Sequence, residues 1–172
     1  MSDTDHLQSG ESALGRRSRA DYTGGVYGSM LAASVVVGAG ALGDFPRLEV
    51  VGLLVLTGVA FWLAHVHAQM FGARLVQRRP GRAVLLHVCR EEWPIVEAAV
   101  PPAVAVAVSP LLGLDLTGTL WLALTVAVAG QVGWSVAAAR RAGAAWPLVA
   151  VTAAVNLVLG LAIILFKLLI TH

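Results

Sequence analysis

Charge, cysteine and lysine are all scarce in this chain. Asp, Glu, Lys and Arg make up 13% of its 172 residues, about half their share in soluble domains, which excludes a protein whose surface lies mainly in water. Cys89 is the only cysteine, so an intramolecular disulfide framework is excluded, and a lone thiol of this kind reads as a small hydrophobe. Lys167 is the only lysine among the 12 basic residues; the others are arginine. Catalytic signatures are missing too. There is no Gly-x-Ser-x-Gly, no His-Glu-x-x-His, no phosphate-cradling glycine loop ending in Lys-Ser/Thr, and no aspartate pair within an apolar stretch. An enzyme is therefore not expected, and no cofactor is expected. The net charge of +2 does not point to nucleic acid, because the arginines cluster beside apolar stretches and form no continuous basic face.

Apolar residues dominate instead. They make up 58% of the chain, with a mean hydropathy of +0.78. They fall in five blocks, 22–42, 49–71, 94–112, 117–139 and 146–170. A helix rising ~1.5 Å per residue needs about 20 residues to cross a ~30 Å hydrocarbon core, and each block is near that length. The first block is rich in glycine, and the third contains Pro101, Pro102 and Pro110. Transmembrane helices tolerate both residue types. The fold expected is an all-α membrane protein, a bundle of five transmembrane helices, with four as the alternative if the first block stays outside the membrane. Residues 1–21 read as a disordered polar cytoplasmic tail and residues 22–172 as a single transmembrane helical domain. Arg16, Arg17 and Arg19 precede the first block, but no cleavage site follows it, so the segment reads as an anchor and not as a signal peptide.

Charge asymmetry sets the orientation, because cytoplasmic flanks accumulate Lys and Arg. With the N-terminus cytoplasmic, Arg16, Arg17, Arg19, Arg74, Arg78, Arg79, Arg82, Arg90, Arg140 and Arg141 all lie on that side, and only Arg47 lies on the other. The four-span alternative would move the three tail arginines across the membrane. The loop at residues 72–93 starts with a Pro-Gly turn and then places Val84, Leu85, Val88 and Cys89 near one helical face. That pattern suggests an interfacial amphipathic helix before span three, with Arg82 and Arg90 toward the headgroups.

Ionisable or amide side chains inside hydrocarbon are costly and are the first places to look for function. His65 and Gln69 lie in span two, Glu97 in span three, Gln131 in span four and Asn156 in span five. Counted from the cytoplasmic end at ~1.5 Å per residue, Glu97 lies ~6 Å deep, His65 ~10 Å, Gln131 ~13 Å and Asn156 ~15 Å. The shared depth predicts a polar layer in the inner half of the bilayer, with His65, Gln69, Glu97, Gln131 and Asn156 lining a cavity that handles protons or ions. His67 is about 200° around the helix from His65, so the two are not a ready chelate, and no metal site is expected.

Other patterns read as packing. Thr152, Asn156, Gly160, Ile163 and Lys167 form one stripe on span five, and Gly24, Gly28 and Ala32 form a small-residue face on span one, suited to contact within the protein or between copies. Pro101 and Pro102 remove successive donors and are expected to bend span three one turn beyond Glu97. The spans show no inverted repeat.

In layout and composition the chain resembles the small multi-pass integral membrane proteins common in GC-rich bacteria. The resemblance carries no motif that assigns a role to any residue. Taken together, these features suggest a small α-helical transporter or channel component for protons, an ion or a small solute, in the plasma membrane. The alternative is a non-transporting accessory or scaffold protein. The expected partners are the lipid bilayer, a second copy in a homo-oligomer, and a protein docking at the 72–93 loop.

Overall fold

The computed structural model describes the backbone of residues 3–43, 45–76 and 81–170, and the side chains of 22–43, 45–72, 81–166, 168 and 169. Within these limits it is all-helical: α1 (Asp3–Leu42), α2 (Arg47–Val76), α3 (Arg82–Glu91), α4 (Pro94–Glu97), α5 (Val100–Val108), α6 (Leu116–Arg141) and α7 (Trp146–Ile170), with a 3-10 turn at Ser109–Leu112. Five stretches are long and apolar enough to cross a membrane: Tyr22–Leu42, Arg47–Gly72, Arg82–Leu112, Leu116–Arg141 and Trp146–Phe166. The first block, the one in dispute between five spans and four, is among them. α1 also continues back to Asp3, where the sequence suggested a tail without regular structure. A helix already nucleated in an apolar span adds one backbone bond for each further residue it orders, so propagation outward costs far less than starting anew.

Local chemistry sets the ends of these elements. Asp115 caps α6, its carboxylate accepting from Gly118 N at 2.7 Å. α6 closes at Gly143, whose φ of +71° suits a residue without a side chain, with Ala144 N donating to Ala139 O at 3.0 Å. Gly113, φ +68°, closes the 3-10 turn in the same manner, with Leu114 N donating to Ser109 O at 3.3 Å.

The third stretch is broken twice. Pro94 cannot donate to Arg90, and Pro101 and Pro102 cannot donate to Glu97 and Ala98. The chain tightens at both places: Ile95 N donates to Glu92 O at 3.1 Å and Ala99 N to Val96 O at 3.0 Å, three residues back instead of four. The second interruption falls at Ala98 and Ala99, directly after Glu97 and before the prolines, because the bonds a proline removes reach backward along the helix.

α1 lies at the centre. Its most extensive contact is with α6, and it also touches α2, α4 and α7. Lipid supplies no hydrophobic drive between helices, so close backbone approach must do the work, and α1 is built for it. A Cβ at Gly28 would lie 2.6 Å from Ile95 O and 2.9 Å from Ala98 Cβ, and one at Gly25 would strike the Trp134 ring. The Gly24/Gly28 face is thus spent inside the protein, against α4. The dry core lies beyond, where Ala33, Val36, Val106, Ala123 and Leu124 have no exposed surface and Val50 and Leu54 almost none. α7 sits at the edge on α6, with Gly160 close against Val128.

Candidate functional site

The bundle has two unlike ends. One carries Tyr22, Arg82, Arg90, Arg140, Arg141 and Trp146; the other carries Leu42, Arg47 and Asp115. At the arginine-rich end the helices splay around a cavity of about 730 Å³, within the range of small-molecule sites. α1 contributes Tyr22, Thr23, Val26, Tyr27 and Met30, α6 contributes Ser135, Ala138, Ala139 and Arg141, and α7 contributes Leu148, Thr152 and Asn156. Both tyrosines of the chain line it. Toward the other end it stops against the packed core, where Gly160 meets Val128.

The wall is less polar than its residues suggest. Ser135 Oγ donates to Val132 O at 2.8 Å, Thr152 Oγ1 to Leu148 O at 2.9 Å, and Asn156 Nδ2 to Thr152 O at 3.0 Å. Each of these donors turns back onto its own helix, as hydroxyl and amide side chains do when no water competes. Behind Asn156, fully buried Gln131 donates through Nε2 to Asn156 O at 3.2 Å and to Asn156 Oδ1 at 3.3 Å, while Gln131 Oε1 has no hydrogen-bond partner. At the mouth, the Arg141 guanidinium lies 5.5 Å over the Tyr22 ring, and Arg140 lies 4.8 Å over Trp146.

The five residues singled out in the sequence are distributed unevenly. Gln131 and Asn156 come together as a pair, and of the five only Asn156 lines this cavity. His65 is half-buried, with Nδ1 3.0 Å from Phe61 O and its ring 5.1 Å from the Tyr27 ring, so Tyr27 stands between it and the cavity. Gln69 is exposed and donates to Glu92 Oε1 at 3.3 Å. Glu97 lies on the outer surface with Trp93, Val100, Pro101 and Val104. The inward positions of α4 and its C-terminal end are filled, Ile95 and Ala98 against the glycines of α1 and Val96 against Gly58 of α2, and a carboxylate has no room there. The stripe expected on α7 does face α6: Asn156 meets Gln131 and Gly160 meets Val128, while the Lys167 side chain lies outside the described residues.

Sequence reading misses Tyr22, Tyr27 and Arg141 as cavity residues. Arg141 reads along the chain as a topology signal, and the tyrosines lie five residues apart, a spacing that gives no clean shared face. Their common feature is position in the last turns at one end of two neighbouring spans.

A scan of family models finds no match, and no curated protein or solved structure is significantly similar to the chain. The class of protein therefore rests on its five long apolar helices, which are those of a membrane protein.

Proposed function

We propose that this chain is a small α-helical carrier, or the ligand-binding subunit of a transport assembly, that takes up a small solute or amphiphile in the cavity between α1, α6 and α7. The observation that carries this reading is a cavity of about 730 Å³ toward the arginine-rich end, lined by α1, α6 and α7 no deeper than Met30 and Asn156, with packed core beyond. A chamber that does not run the length of the bundle suits binding and release better than free diffusion through a pore. By the arginine asymmetry the arginine-rich end, with its cavity, faces the cytoplasm. α3 lies along the membrane surface as an amphipathic helix, its apolar face toward lipid.

Proteoliposomes test this. Proton entry is read with a trapped pH-sensitive dye, and movement of a fluorescent long-chain amphiphile with an impermeant quencher. The carrier moves at least one of them faster than empty liposomes do, and Asn156→Leu slows it. Failure to move either probe sinks the carrier reading.

A second reading, an accessory subunit docking a partner at the 72–93 loop, is favoured by one observation: none of the residues of α3 is buried.

A further inference from the structure

We infer that the cavity between α1, α6 and α7 is a binding site for an anionic phospholipid from the leaflet on the arginine-rich side, with the phosphate on Arg141 and an acyl chain lying between α1 and α7. The inference rests on the reading of this cavity as a ligand site and names the ligand class.

The first argument is depth. From Trp146 at the mouth to Asn156 at the floor is ten residues of α7, or ~15 Å of helix, half of a ~30 Å hydrocarbon core. The cavity is one leaflet deep. It runs from the level where Arg141 and Trp146 sit to the level where the Asn156–Gln131 pair closes it, so it matches an acyl chain of the adjacent leaflet.

The second is the character of the wall. Val26, Met30, Ala138, Ala139 and Leu148 are apolar. Ser135 and Thr152 spend their hydroxyl donors, and Asn156 one of its two amide hydrogens, on their own helices. Such a wall offers methyl and methylene surface to a ligand and few free donors to a soluble anion below the mouth. α1 and α7 each pack mainly on α6 and less on each other, and Thr23 and Leu148, which line the cavity, are exposed. A chain can therefore enter sideways from the bilayer along the α1–α7 seam.

The third is charge. Arg140 and Arg141 stand side by side at the end of α6, each seated on an aromatic ring, and no carboxylate pairs with either among the described residues. A guanidinium held in this way presents its fork of donors to a phosphate. An anionic headgroup at the membrane surface supplies that phosphate where a soluble ligand would have to leave water to reach the wall below.

The test is native mass spectrometry of the full-length protein in mild detergent, titrated separately with phosphatidylglycerol and phosphatidylcholine. The wild type retains phosphatidylglycerol preferentially, and Arg141→Gln lowers that preference about fivefold, the change expected for one arginine at a headgroup. Ala139→Phe and Leu148→Trp, which fill the cavity from its α6 wall and from an exposed position on α7, lower retention of both lipids, while Gly38→Ala, remote and uncrowded, leaves retention unchanged. An unaltered preference in Arg141→Gln, or unaltered retention in both filled variants with native helicity, overturns the inference. Displacement of the lipid by millimolar inorganic phosphate also overturns it, by showing a site for a soluble anion. Lipid retention without transbilayer movement of any probe would leave this inference standing and remove the carrier reading. Movement of a soluble probe with no lipid bound would do the reverse.

Discussion

Replacing Gly28 by alanine tests the packing that holds α1 at the centre of the bundle. The added Cβ would lie 2.6 Å from Ile95 O, 2.9 Å from Ala98 Cβ and 3.0 Å from Ile95 Cα. Two of these neighbours are backbone atoms and cannot swing aside. Ordinary contact begins near 3.4 Å, so α1 and α4 must separate by up to 0.8 Å. Overpacking of this kind costs about 1–3 kcal/mol. Gly38→Ala is the matched control, since nothing lies within 4 Å of the position its Cβ would take. Both variants gain the same helix propensity, about 1 kcal/mol at most, so the difference between them isolates the clash. Unfolding in mixed micelles by SDS, followed by circular dichroism, should place Gly28→Ala about 1–3 kcal/mol below Gly38→Ala. Adding Ala98→Gly removes the 2.9 Å contact but leaves the one at 2.6 Å, so it should recover only part of the loss. Equal stability of the two single variants would refute the close α1–α4 contact.

Further outcomes follow from the polar contacts. Gln131→Leu removes a buried carbonyl oxygen that has no partner and should be neutral or stabilising by up to about 1 kcal/mol, whereas Asn156→Leu removes the Oδ1 acceptor, leaves Gln131 Nε2 only the main-chain carbonyl of residue 156 and should cost about 0.6–1.7 kcal/mol by the same SDS assay; the opposite order would refute the pairing. Trp62 Nε1 donates to Cys89 O at 2.9 Å, so Trp62→Phe should free the end of α3 and speed maleimide labelling of Cys89, and an unchanged labelling rate would count against that tie. Arg47 donates through Nη2 to Leu114 O at 2.6 Å and through Nε to Thr119 Oγ1 at 3.4 Å; Arg47→Gln should cost about 1–2 kcal/mol, and no loss would mean that the arginine contributes only its charge. With all five stretches crossing the membrane and the N-terminus cytoplasmic, as proposed from the arginine asymmetry, protease added outside intact cells should remove a C-terminal tag and spare an N-terminal one, and the reverse result would refute that orientation.

The polar candidates show where reading along the chain loses its power. Depth follows from residue count, because every helix rises by the same ~1.5 Å per residue, and Gln131 and Asn156, matched in depth, do meet. Direction around the axis follows from the periodicity of one helix but says nothing about which neighbour occupies that side. His65 lies three residues beyond Trp62 and four before Gln69, so the three share a face, yet that face meets Tyr27, Glu92 and Cys89 and not the Gln131–Asn156 pair. Glu97 is one turn from Trp93 and on the same outer surface, a position decided by the small residues that fill the inner side of α4.

The sequence by itself determined that the chain has five stretches able to cross a membrane, that Pro101 and Pro102 disturb the third, and which end collects the arginines. These are properties of composition and of bonds reaching at most four residues along the backbone, so they survive without knowledge of the neighbours. Only the tertiary structure decided that α1 is central, that its Gly24/Gly28 face is spent on α4, and that Tyr22, Tyr27, Arg141 and Asn156 border one cavity. In lipid the helices do not sort themselves by an apolar face, because every outer face is apolar. Their partners are chosen by which small residues permit backbones to approach, and that choice depends on three-dimensional fit between segments far apart in the chain.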